Sequence, residues 1–252
     1  MKKLFKKYKI VKRSKYDALK RLSSDAQDFE FLKAMPRDKA SQILTHLEAS
    51  KAQLRQDLLA LTYSDFRENG FFVEFGATDG VGLSNTHLLE KQFGWTGILA
   101  EPARTWHNAL KGNRSAVIDT RCVWKSSGQH LEFDEVANSE LSTISEFAAS
   151  DFHKKRRTDK KTYTVETVSL FDLLRQHQAP RQIDYLSIDT EGSEYSILEA
   201  FDFASYDIRL ITCEHNFSDQ RSKIFELLTR NGYDRIHTEI SRFDDWYLKR
   251  GS

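Results

Sequence analysis

The residues of this chain best equipped for chemistry fall in four short blocks: "VEFGATDG" at 73–80, "ILAEP" at 98–102, "YLSIDTEGSEY" at 185–195 and "CEHN" at 213–216. The first sets acids around a glycine-punctuated turn directly after an apolar run. Glycine there lets a backbone approach a ligand closely and adopt positive φ. The same glycines also serve a merely tight strand-to-helix connection, and the turn alone leaves both readings standing. Gly76, Gly80 and Gly82 lack the G-x-G-x-x-G spacing that a pyrophosphate demands, and no G-K-[ST] follows, so a dinucleotide and a phosphate-cradling loop are disfavoured. Glu101 closes the next apolar run, about 25 residues after the first of these glycines, where a carboxylate can accept both hydroxyl hydrogens of a ribose. A single glycine turn joined to such an acid suits a mononucleoside such as S-adenosylmethionine.

The third block delivers Asp189 to the end of an apolar run, with Glu191 and Glu194 beside it. The fourth delivers Glu214, His215 and Asn216 to the same edge of the same sheet. Carboxylates and an imidazole converging there can hold a divalent hard cation, or act as general base on a hydroxyl whose proton must leave. The plainer alternative is that Asp189 caps the helix beginning near Ser193, and that Glu214 and His215 pair with nearby lysines.

These blocks need strands that end side by side. From residue 71 short apolar runs alternate with helical segments: "FFVEF", "SNTHLLEKQF" and "TGILAEP" make a βαβ unit, and "RTWHNALKGN" is a helix closed by Gly112. "SAVIDT" and "CVWKSSGQHLEF" read as strands with a Ser-Gly hairpin near residue 127. "YTVETVSLFDLLRQH", "QIDYLSIDTEGSEYSILEAFDF" and "DIRLITCEHN" with "SDQRSKIFELLTRNGY" continue the alternation, and "DRIHTEISRFDDWYLKR" carries two strand-like pieces for an edge hairpin. The pattern predicts an α/β three-layer sandwich with a mostly parallel, twisted sheet. Residues 1–69 read as a helical N-terminal extension to a domain spanning 70–252. Within it the leucine stripe of "ASQILTHLEASKAQLRQDLLALTYSDF" predicts one amphipathic helix over 41–61 that packs on the domain. Residues 134–162, with "KKRR" at 154–157, read as a surface excursion or lid.

At 252 residues the chain can bury one principal core, because single cores stop growing near roughly 250–300 residues. With 38 basic against 37 acidic residues, a formal net charge of +1 projects no global field toward nucleic acid. Two cysteines, Cys122 and Cys213, each in an apolar run, fit a reducing compartment, hence the cytoplasm. Lysines interrupt the apolar residues of "MKKLFKKYKIVKRSKY", so it has no signal-peptide core, and no run of 18 apolar residues predicts a bilayer span. This basic opening suits either a frayed, solvated terminus or contact with an anionic membrane surface.

Taken together, "FFVEFGATDGVGLSNTHLLEKQFGWTGILAEP", "YLSIDTEGSEYSILEAFDF", "CEHN" and "FDDWY" resemble the FkbM-type family of S-adenosylmethionine-dependent methyltransferases, over about residues 70–248. The resemblance implies the class I methyltransferase fold, which is Rossmann-like, and transfer to hydroxyls of sugars or natural products. It places Glu74, Gly76, Ala77, Asp79 and Gly80 at the methionine end of the cofactor, and Glu101, followed by Pro102, at the ribose. Asp119 and Arg121 fall near adenine, and Asp189, Glu191 and Gly192 beside the transferred methyl. His215 and Asp189 are then the candidate bases. By analogy with metal-dependent methyltransferases, Asp189 and Glu214 are candidate ligands for a divalent cation such as magnesium. The expected function is O-methylation of a saccharide, glycan or related metabolite. N-methylation or a small-molecule acceptor is the alternative within enzymes; a non-catalytic interaction module docking through helix 41–61 is the alternative outside them. "KKRR" suits either an acidic sugar or solvent, and Trp246 and Tyr247 either stack on a sugar or pack on the sheet.

Overall fold

The computed structural model describes residues 12–136, 143–144 and 160–251. Along the chain α1 (Arg13–Ala34), α2 (Ala40–His46) and α3 (Gln56–Tyr63) precede β1 (Phe71–Phe75). Then come α4 (His87–Phe93), β2 (Thr96–Ala100), α5 (His107–Asn113) and β3 (Val117–Asp119). A smaller group follows, β4 (Cys122–Trp124), β5 (His130–Val136), β6 (Thr143–Ile144) and β7 (Lys160–Ser169). The chain closes with α6 (Leu170–Gln176), β8 (Gln182–Ile188), α7 (Glu194–Glu199), β9 (Asp207–Glu214), α8 (Gln220–Arg230), β10 (Tyr233–Ile236) and β11 (Asp244–Lys249).

Seven strands form the main sheet in the order β10-β11-β9-β8-β1-β2-β3. The five from β9 to β3 are parallel, and β11 runs antiparallel to both β9 and β10. Strand alternation sorts the side chains into two layers. Val73, Phe75, Ile98, Leu186, Ile188 and Ile211 face α6, α7 and α8. Phe72, Leu99, Tyr185, Leu210 and Trp246 face α3, α4 and α5, joined by Phe31 of α1 and Ile43 of α2. Burial on both faces is why the central strands read as nearly unbroken apolar runs. The architecture is the three-layer sandwich that the alternation predicts.

Three local expectations are corrected. The segment 41–61 is two helices, because polar side chains hold a turn between them: Ser50 Oγ and the Lys51 N–H donate to the Asp57 carboxylate, and the Leu54 N–H to Gln56 Oε1. Arg55 sits there at φ 65 and forms a two-pronged pair with Asp28 of α1. Leu58, Leu59 and Leu61 of α3 are wholly buried, so this helix is one of the sandwich's layers rather than a free docking element. The extension before residue 70 thus supplies core to the domain after it. Nor is there a hairpin at residue 127: β7 lies between β4 and β5, and Gly128 and Gln129 bond to Thr167 of β7 instead. Ten residues long and rich in Thr, Val and Tyr, β7 can pair on both sides. The α5 helix also runs through Gly112 to Asn113.

The basic residues 1–11 and the "KKRR" cluster at 154–157 lie outside the described residues. Among the described residues no helix is long and apolar enough to cross a membrane.

Two glycines give opposite expectations. A Cβ on Gly97 would sit 2.3 Å from the Phe72 carbonyl oxygen and 2.4 Å from its ring. Gly97→Ala is therefore expected to destabilise by about 1–3 kcal/mol, as overpacking does. Gly112 has nothing within 4 Å of its Cβ position, so Gly112→Ala should stabilise by up to about 1 kcal/mol. Denaturant unfolding of the two variants checks both signs.

Candidate active site

A cavity opens where the strand order reverses, between β1 and β8, at the carboxyl ends of the parallel strands. It encloses about 1090 Å³ of non-atom space, open solvent at its mouth included. Its floor is Glu74, Phe75, Gly76, Glu101, Pro102, Ser187, Asp189 and Glu191; α3 and the loop before it add Gln56 and Gln53, β11 adds Asp244, and the small sheet adds Phe133.

One wall is built on Glu74. This buried carboxylate accepts hydrogen bonds from Ser84 Oγ, the Asn85 N–H and Thr86 Oγ1. Arg114, its side chain fully buried, lies 3.8 Å away, donates to Ser84 Oγ, Thr86 Oγ1 and the Gly80 carbonyl, and pairs with Glu90 at 2.7 Å. Asn85 is thereby held in the wall with its Nδ2 donating to Ser187 Oγ of β8, while its buried Oδ1 has no partner among the described residues.

Gly76 answers the question its turn raises. At φ +74, a Cβ there would stand 2.2 Å from the Asp189 carbonyl oxygen, so the tight connection itself requires glycine. The same close approach brings Gly76 and Asp189 together in the cavity floor. Glu101 is buried, with one oxygen accepting from the Thr78 N–H at 2.8 Å and the other from the Ala103 N–H at 2.7 Å. Each oxygen keeps a lone pair. Burial outweighs these bonds and pushes its pKa up to about 7.

Other cofactor candidates stand off the cavity. Ala77 packs in the core beside α5, and Gly80 lies against Leu110 and Arg114. Asp79 Oδ1 accepts from the Val81 and Gly82 N–H groups and so ties its own turn. Asp119 and Arg121 form a two-pronged pair, with His177 Nε2 2.8 Å from Asp119.

Asp189, Glu191 and Glu214 each offer an oxygen, and the three atoms lie within 4.8 Å of one another. Glu191 is buried at φ 58, one of three non-glycine residues of positive φ, with Thr78 and Leu83, that line the cavity. Such conformations cost on the order of 1–3 kcal/mol each and gather at functional sites. Burial, then the charges of Asp189 and Glu191, holds the Glu214 pKa well above the usual carboxylate range. The helix-leading turn is tied by Glu194, not Asp189: Glu194 Oε1 accepts from the Thr190 N–H and hydroxyl and from the Gly192 N–H.

His215, expected as a base, is carried off the cavity by strand alternation. Its Nδ1 accepts from the Phe217 N–H, and its Nε2 lies 3.8 Å from Asp245, which also binds Arg221 and Arg235. Burial lowers its pKa. Sequence reasoning passed over Asp244, which does line the cavity. The period of two in "DDWY" puts Asp244 and Trp246 on one face and Asp245 and Tyr247 on the other. Both aromatics are fully buried core, which excludes their stacking on a sugar. Asp244 accepts from Gln56 Nε2 at 2.8 Å, and burial pushes its pKa up to about 7. Gln56 and Asn85 were likewise missed, since nothing local marks a polar residue in a helix stripe or turn as facing a cavity.

The strand order, the antiparallel β11 slotted between β9 and β10, and a cavity at the switch point define a class I methyltransferase fold. Residues 74–235 match the profile of the Methyltransferase FkbM domain, and the chain belongs to that family. Among solved structures it is similar to a methyltransferase FkbM from Methylobacillus flagellatus KT, at 13% identity and TM-score 0.47, covering 90% of this chain and 59% of that one. It is also similar to a precorrin-6y C5,15-methyltransferase from Geobacter metallireducens GS-15, at 9% identity and TM-score 0.41, covering 76% and 84% respectively. This chain thus spans less than two thirds of the length of the first. No curated protein is significantly similar to it.

Two substitutions probe the site's construction. Arg114→Met leaves Glu74 and Glu90 without their buried countercharge, and a loss of about 3–5 kcal/mol is expected in denaturant unfolding. Asp244 has its pKa raised from 3.8 to about 7. Between those values the folded chain keeps a proton that the unfolded chain has lost, so this group's contribution to stability falls as pH rises. Stability measured from about pH 4 to about pH 8 should therefore shift progressively in favour of Asp244→Asn relative to wild type. A difference independent of pH would contradict the burial.

Proposed function

We propose that this chain transfers a methyl group from S-adenosylmethionine to a hydroxyl of a saccharide, glycan or related metabolite. One observation carries the reading: five carboxylates, Glu74, Glu101, Asp189, Glu191 and Asp244, line the cavity, and none of the described lining residues is Lys, Arg or His. Such a wall suits a ligand that bears a sulfonium and an ammonium, and disfavours an anionic acceptor. The cofactor, when bound, supplies the electrophilic methyl carbon. Glu101, with a lone pair free on each oxygen, fits the ribose hydroxyls; Gly76 and Pro102 form the adjoining floor.

The chain's own work is to hold the acceptor oxygen in line, within roughly 3–3.5 Å of that carbon, and to take its proton. Asp189 is the base we assign: it is exposed in the cavity floor, with Glu191 next to it. With cofactor and acceptor bound, the Asp189 carboxylate would take up the hydroxyl proton that the acceptor loses. The close oxygens of Asp189, Glu191 and Glu214 also fit a divalent cation such as magnesium, which would acidify the hydroxyl. We place the reaction in the cytoplasm, since both cysteines are free and buried. Cys122, in the cavity wall, has its thiol pushed up to about 12 by burial and is no nucleophile.

Calorimetry and mass-resolved methyl transfer, with and without magnesium and a chelator, test this. Wild type should bind S-adenosylmethionine and its demethylated product, more tightly as pH rises through about 7, because hydroxyl donors favour ionised Glu101. Glu101→Ala should weaken binding by more than about tenfold, the loss of hydrogen bonds to a charged group. Asp189→Asn should retain binding and lose about 10²–10⁴ in kcat. Absence of heat with either compound would sink the proposal.

A further inference from the structure

The outward face of α1 is unlike the rest of the surface. Residues 12–26 are all exposed, and Tyr16, Leu19, Leu22 and Phe29 stand 57%, 51%, 63% and 60% accessible. At about 100° per residue Leu19, Leu22 and Phe29 fall on the side away from Phe31, which is buried against the domain, and Tyr16 continues the stripe at its edge beside Leu19. The helix thus keeps an apolar stripe pointed away from its own core. Residues 1–22 carry ten Lys or Arg against one Asp, a net +9, while residues 23–252 carry 28 basic and 36 acidic residues. The chain's near-neutral total conceals two opposite charges.

We propose that α1 seats its Tyr16–Leu19–Leu22 stripe in the surface of an anionic phospholipid membrane, with the surrounding lysines and arginines on the headgroups. Stripe and charge together select this occupant. A nucleic-acid backbone matches the charge and leaves the leucines exposed. A second copy packed α1 against α1 matches the leucines and sets +9 against +9. A helix with an apolar face flanked by Lys and Arg fits an interfacial bed. The later half of α1 is tied to the cavity wall: Asp28 pairs with Arg55, and Gln27 donates to the carbonyl of Gln53, which lines the cavity. Docking would hold the domain at the membrane surface, where a lipid-linked acceptor is presented. The seat itself does not depend on the methyl-transfer reading.

The test is co-sedimentation of the full chain with vesicles of phosphatidylcholine alone or with about one third phosphatidylglycerol. Binding is expected to the anionic vesicles only, and to weaken as salt rises. Leu19→Ser/Leu22→Ser should lose at least roughly tenfold. Lys12→Glu/Lys15→Glu should lose at least as much, since each basic residue strengthens binding roughly fivefold. These side chains are exposed, so melting temperatures should match wild type. No binding at low salt, equal binding to neutral vesicles, or undiminished binding by the serine variant would overturn the proposal. So would lipid-free self-association that the serine variant abolishes, or binding of duplex nucleic acid where vesicles fail.

Discussion

A carboxylate buried in β1 organises much of what surrounds the cavity. Glu74 sits in a strand whose other side chains are apolar, where an uncompensated charge would cost several kcal/mol. It is tolerated because Ser84, Asn85 and Thr86 turn back onto it and Arg114 lies behind them. That compensation fixes the path of the loop between β1 and α4. Arg114 extends the hold to Glu90 of α4, and Asn85 extends it to Ser187 of β8. A cavity wall, two helices and the neighbouring strand therefore take their positions from one charge on β1. Gly76 adds the second constraint, because the turn passes too close to the Asp189 carbonyl for any side chain.

The cavity concentrates features that work against folding. Glu101 and Asp244 are buried far enough to titrate near 7, and burial and the charges of Asp189 and Glu191 raise the Glu214 pKa well above the usual carboxylate range. Thr78, Leu83 and Glu191 occupy left-handed backbone conformations along the same lining. A core selected for stability alone would keep neither. The two large apolar layers supply the surplus against which such strain is held.

Much of this was legible in the sequence because it is local. The apolar runs, the helical spacing and the blocks at 73–80, 98–102 and 185–195 mark strands and the residues at their carboxyl ends, and parallel strands bring those ends together. What escaped was set by parity and by distant partners. Glu214 and His215 are adjacent at the end of β9, yet successive residues of a strand face opposite ways, and only the pairing of Asp244 with Glu214 and Asp245 with Cys213 decides which face is the cavity. Asp119 and Arg121 consume each other's charge across two residues. The placement of β7 between β4 and β5 pairs Cys122 with Thr167 and His130 with Glu166, residues too far apart in the chain for turn chemistry to show. The break before α3 hides in Gln56 and Asp57, whose side chains bond backward to the turn while the leucines beside them continue the stripe.

Charge separation gives these pieces a common logic. The cavity is walled by acids and the first 22 residues are strongly basic, so the two would attract if the chain let them meet. The Asp28–Arg55 pair stands against this: both side chains are only 15% exposed, and it pins the C-terminal half of α1 to the turn before α3. A 22-residue helix is roughly 33 Å long, so the pinned end fixes the direction in which the basic end projects. Arg55 takes its left-handed conformation at that junction, where Gln53 and Gln56 enter the cavity lining. One partly buried ion pair thus sets the direction of α1, and with it that of Lys12, Arg13, Lys15, Lys20 and Arg21, relative to the acidic site.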